Sequence, residues 1–295
     1  MRALAWFLAL IAVALAAMAV LTYPVWMLLH PYFGFPFHRV ADRIGMLALL
    51  AGFVPVARRL KLADRASLGY GLPARELMPE MGIGLALGVA TLAPAVALMT
   101  ALGLLHWPAA DGLPRSAWLA LVTKPLFSGI AVAFIEETFL RGAMLSAIRR
   151  EAGARVAVLL TAALYSASHF VASVHIAPEQ VTPASGVAML AGALRAFAHP
   201  QTIADAFLCL MAVGALLGMI RVLTGNIAAC VGLHAGWVWV MLVTHELARP
   251  GPGASLGFLV SRFDGFVGWL LLAWTVLLAV PLWRLYAARG IRGRA

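Results

Sequence analysis

Charge is scarce in this chain. Only 12% of its 295 residues are Asp, Glu, Lys or Arg, while 63% are hydrophobic and the mean hydropathy is +0.93. Such a balance excludes an ordinary soluble domain, whose surface needs about a quarter charged residues. Acids are scarcer than bases, 12 against 22, giving a net charge of +10. Cysteine is nearly missing. Cys209 and Cys230 both fall in or beside apolar stretches, so neither a disulfide framework nor a thiolate zinc site is expected. No HExxH occurs, and Asn226 is the only asparagine. Alternating strand-length patterns are missing too, which excludes an outer-membrane barrel.

What is present is a series of long apolar runs. Backbone polar groups must be satisfied within each segment in lipid, so these runs read as helices. Eight spans are predicted, at about 3–29, 44–57, 81–105, 116–148, 154–175, 202–223, 226–248 and 265–287. The fold class is therefore all-α, a polytopic transmembrane helical bundle of about eight spans, forming one membrane domain over 1–295. Lys124-Pro125 predicts a break in the fourth span. The stretch 176–200 is the longest outer connection, with a helix at the interface. Placing both termini in the cytoplasm leaves most basic residues on that side. The excess of positive charge then needs no nucleic-acid partner. The expected partners are the lipid bilayer and a peptide or membrane-protein substrate. The Ala-, Arg- and Leu-rich composition suggests a bacterial inner (plasma) membrane.

Against this apolar background, AVAFIEETFLRGAMLSAI places Glu136, Glu137 and Arg141 in one span. Each charge near mid-bilayer costs a few kcal/mol, and such residues are commonly functional. Glu137 and Arg141, at i and i+4, can pair on one helix face, leaving Glu136 free to face a cavity. His169 and His234 fall at compatible depths. Rising about 1.5 Å per residue, Glu136 lies roughly 18 Å from Ile148, His169 about 22 Å from Ala154, and His234 about 12 Å from Asn226. Tyr165, four residues before His169, shares its face. A Glu/His cluster suits acid/base chemistry or a metal site.

These residues resemble the CPBP family of intramembrane proteases, which includes the CAAX prenyl endoproteases and the bacteriocin-processing, Abi-like proteins. Glu136, Glu137 and Arg141 match its EExxxR motif. Tyr165 and His169 match FxxxH with Tyr for Phe, and His234 matches the first position of HxxxN/D. Val238 stands where that motif carries Asn or Asp. The resemblance covers about 116–248, the CPBP-like catalytic core. It implies an intramembrane glutamic endopeptidase in which Glu136, with His169, activates water and His234 assists at the oxyanion. Glu137, Arg141 and Tyr165 would support them. No cofactor is implied. The alternative is zinc held by Glu136, His169 and His234. Two non-proteolytic readings also fit such a cluster: an immunity or scaffold membrane protein, and a proton-coupled transporter.

Overall fold

The computed structural model describes residues 1–108, 115–170, 175–251 and 255–292. It is a helical bundle. In chain order the helices are α1 (Arg2–Phe33), α2 (Phe37–Arg59), α3 (Ala74–Ala101) and α4 (Arg115–Glu137). A π-helical segment (Thr138–Met144) then leads into α5 (Leu145–Ser168). There follow α6 (Ser185–Ala198), α7 (Ala204–Thr224), α8 (Ala228–Leu247) and α9 (Trp269–Arg292). The only sheet among the described residues is a two-residue antiparallel ladder, Leu105–His106 against Arg249–Pro250.

Seven of the described helices are long and apolar enough to cross a membrane. The fourth runs from Ser116 to Ser168 and is broken at Gly153 (φ 82°, ψ 171°), so it supplies two arms. These fold back on each other: Arg141 and Tyr165, each twelve residues from Gly153, meet with the guanidinium 4.6 Å from the ring centroid. Only glycine adopts that φ without strain. The predicted break at Lys124-Pro125 is therefore corrected, since α4 runs through Pro125. Proline removes the bond to the Leu121 carbonyl one turn back, and one residue further on the Val122 carbonyl accepts from Trp239 Nε1 at 2.9 Å.

Helix ends differ from the hydropathy reading for a simple reason. Hydropathy marks the lipid-immersed part, whereas α2 and α3 continue into polar flanks at Arg58 and Arg59, and at Arg75 and Glu76. The fifth span was predicted to reach residue 175. Its helix ends at Ser168, and 171–174 lie outside the described residues. A helix is present in this connection as α6, and it packs on the middle of α1. Met189 is buried beside Met18 and Trp26, and Gly186 abuts the backbone at Ala19.

Long-range contacts gather the basic connections at one end of the bundle. The Ala3 N–H donates to the Glu151 carboxylate, and Arg150 donates to the Lys61 carbonyl and the Ser67 hydroxyl. The Ile227 N–H donates to the Gly69 carbonyl, and Arg289 pairs with Glu80 at 3.2 Å. Outward faces are apolar, as at Phe127 and Ile135 of α4 and Leu277 of α9. Charged side chains such as Glu137, Arg141 and Arg221 are buried inside.

Helix α8 lies between α3 and α4. Gly84 and Gly88 of α3 face Gly232 and Gly236 of α8 so closely that added β-carbons would strike the opposing backbone. These small residues let the two helices touch along their backbones, which fixes the position of His234 between them.

Candidate active site

At the end of α4 and in the π-helical segment, three charged side chains project toward α5, α7 and α8. Arg141 Nη1 donates to Glu137 Oε1 at 2.9 Å, and Arg141 Nη2 donates to the Gly214 carbonyl at 3.2 Å. Both side chains of the ion pair are fully buried. Gly142 and Gly214 permit this arrangement. A β-carbon at Gly142 would lie 2.7 Å from the Leu68 carbonyl oxygen, and one at Gly214 would lie 3.1 Å from the Tyr165 ring. Arg221 of α7 donates from Nε to the Arg141 carbonyl at 3.2 Å, and the Tyr70 hydroxyl bonds Thr138. Hydropathy marks Arg221 only as a basic residue flanking a span. Its burial and its grip on the π-helical segment come from tertiary packing.

His234 also bonds Glu137. Its Nδ1 lies 2.9 Å from Glu137 Oε1, so one carboxylate oxygen serves both Arg141 and His234. A carboxylate accepts, so Nδ1–H is the donor and Nε2 of the neutral ring is left as an acceptor. That Nε2 lies 4.0 Å from Glu136 Oε2. Among the described residues, Glu136 Oε2 is buried without a hydrogen-bond partner, although the side chain as a whole is 33% exposed. The expected division between the acids therefore appears in the geometry: Glu137 is tied on two sides, and Glu136 is not. The expected pairing of Glu137 with Arg141 is present, and His234 shares the same carboxylate oxygen.

His169 reaches this cluster through Tyr165. Its Nδ1 donates to the Tyr165 carbonyl at 2.8 Å, which leaves Nε2 of the neutral ring as an acceptor. The Tyr165 ring meets both imidazoles edge-on, with centroids 4.6 Å from His169 and 5.8 Å from His234. The four helical elements thus bring together Glu136, Glu137, Arg141, Tyr165, His169 and His234. Asn226 is not among them. Its Oδ1 accepts from the Ala228 N–H at the start of α8. Trp237 and Trp239, which flank Val238, direct their indole N–H groups to Thr91 and Val122. Among the described residues, no group of three or more His, Cys, Asp and Glu side chains is arranged to hold a metal ion. Glu136, His169 and His234 do not form a ligand set in this geometry.

The remaining histidines lie elsewhere. His38 faces His175, with ring centroids 4.2 Å apart, His30 stacks on Trp26, and His245 meets Phe266.

Fold and site together define a multi-pass helical membrane protein with an acid–histidine cluster buried among its spans. Residues 116–240 match the family described as type II CAAX prenyl endopeptidase Rce1-like, so this stretch of the chain is similar to that family. No curated protein and no solved structure matches the chain.

Proposed function

We propose that this protein is an intramembrane endopeptidase of the glutamic type, which hydrolyses a peptide bond in or beside the membrane. The observation that carries the reading is the pair of acceptors, Glu136 Oε2 and His234 Nε2, 4.0 Å apart. That gap is too long for a hydrogen bond. It suits one water lying about 2.8 Å from both, donating a hydrogen to each. Such a water presents its lone pair to an incoming carbonyl. Glu136 takes the water's proton as the new C–O bond forms. It then passes the proton to the amine nitrogen as the C–N bond breaks, leaving a carboxylic acid and an amine, which ionise together to carboxylate and ammonium. His234 orients the water in this scheme. Glu137, held by Arg141, keeps the proton of His234 on Nδ1. An oxyanion role for His234 is replaced by this one, because a neutral ring with Nδ1–H has no donor at Nε2. His169, with its free Nε2, is a second proton acceptor at the edge of the cluster.

The family description points to peptides ending in a prenylated CAAX sequence as the substrate class. The test uses purified protein in liposomes and a quenched fluorescent peptide, with and without a farnesyl group on the CAAX cysteine. Cleavage by the wild type and its loss in Glu136→Gln, with the fold retained, is the expected result. Undiminished cleavage by Glu136→Gln would refute the mechanism. Failure of the wild type to cleave either peptide would refute the substrate class.

A further inference from the structure

The proposed reaction places a negative charge on the carbonyl oxygen, and that charge needs a donor. Removing one such donor typically costs 10²–10³ in kcat. The obvious candidates near α8 are spent. Val238 is apolar, the Trp237 and Trp239 N–H groups are bonded to Thr91 and Val122, and Asn226 Oδ1 serves the start of α8 while its Nδ2 donates to the Thr224 carbonyl. His234 and His169 each use Nδ1–H elsewhere. The Tyr70 hydroxyl is engaged with Thr138, whose own hydroxyl donates to the Phe134 carbonyl. Arg141 Nε–H lacks an acceptor among the described residues, but Arg141 is 0% exposed and fixed to Glu137 and Gly214.

One donor is left. Tyr165 is 3% exposed; among the described residues its hydroxyl bonds no side chain or backbone group, and it is not one of the fully enclosed unpaired polar atoms. A buried phenol O–H ordinarily finds a partner. Its ring sits between the two imidazoles and under the guanidinium of Arg141. The phenol ring thus packs against the histidine whose Nε2 faces Glu136.

We propose that the Tyr165 hydroxyl is the oxyanion donor of this site, hydrogen-bonding the carbonyl oxygen of the scissile peptide as water adds to its carbon. The inference rests on the hydrolase reading given above. In the balanced step, water oxygen bonds the carbonyl carbon, the C=O π pair moves onto oxygen, and one water proton goes to Glu136. Tyr165 keeps its proton throughout and shortens its hydrogen bond as the charge grows. Collapse of the adduct returns the pair to C=O and expels the amine, protonated by Glu136.

Tyr165→Phe deletes the hydroxyl and keeps the ring against His169, His234 and Arg141. The experiment measures kcat and KM for the quenched CAAX peptide, alongside thermal unfolding, for wild type, Tyr165→Phe and Glu136→Gln. A kcat lowered about 100-fold with KM within twofold and an unchanged melting temperature is expected for a donor acting only in the transition state. The melting curve separates this from a merely structural role. A kcat within threefold of wild type, or a parallel fall in melting temperature and activity, would overturn the assignment to Tyr165. In that event a Glu136→Gln variant still lacking activity keeps the glutamic mechanism standing. A wild type that cleaves nothing removes both.

Discussion

Replacing Arg141 by Ala tests whether the buried ion pair supports the fold or only the chemistry. The substitution removes the Nη1 donor to Glu137, the Nη2 donor to the Gly214 carbonyl, and the cation over Tyr165. Glu137, 0% exposed, then retains only the His234 Nδ1–H. Breaking a buried pair by deleting one partner costs about 3–5 kcal/mol. The lost bond to the Gly214 carbonyl, which keeps its place in the α7 ladder, adds about 1 kcal/mol. At roughly 2 °C per kcal/mol for a chain of this size, the melting temperature falls by about 8–12 °C. Glu136→Gln deletes no hydrogen bond from a carboxylate that makes none among the described residues, so it moves the midpoint by less than about 2 °C. The assay is thermal unfolding of detergent-solubilised protein together with monodisperse yield. Two further variants sharpen it. Arg141→Lys keeps the charge but loses the planar fork, so it falls between. Glu137→Leu combined with Arg141→Met removes both charges and recovers much of the stability while staying inactive. If Arg141→Ala and Glu136→Gln melt together, the division of labour between the two acids is wrong.

Other outcomes follow from the packing and the charge pattern. Gly232→Ala places a β-carbon 2.8 Å from the Leu85 nitrogen and 2.9 Å from the Gly84 Cα. It should lower stability by about 1–3 kcal/mol and activity with it, through displacement of His234; a fully stable, fully active Gly232→Ala protein contradicts this account of α3 and α8. Both termini are expected in the cytoplasm with 176–200 outside, which impermeant-reagent labelling of single cysteines in intact cells reads directly; labelling of the C-terminal tail reverses the orientation. Purified protein should carry substoichiometric zinc and keep its activity through prolonged chelation. About one zinc per chain, with activity lost on chelation and restored by zinc, would make Glu136, His169 and His234 ligands and end the glutamate mechanism.

The sequence by itself determined the number and kind of segments. In lipid, an uninterrupted apolar run has few alternatives to a helix, so hydropathy located every span, although α2 and α3 each begin seven residues before the predicted start. Spacing alone paired Glu137 with Arg141, because i and i+4 are neighbours on any helix, and it put Tyr165 beside His169 for the same reason. Tertiary structure decided what no local rule reaches. Pro125 sits inside an unbroken α4, while Gly153 folds the chain back through a positive φ. Arg221 became a buried brace for the π-helical segment, though composition shows only a basic flank. The histidine facing Glu136 is held by Glu137, whose carboxylate accepts from Nδ1 and turns Nε2 toward Glu136. Periodicity assigns a residue to a face. Which atom of that residue meets which atom of another helix depends on rotation, depth and close approach, and here glycines on two helices set those quantities.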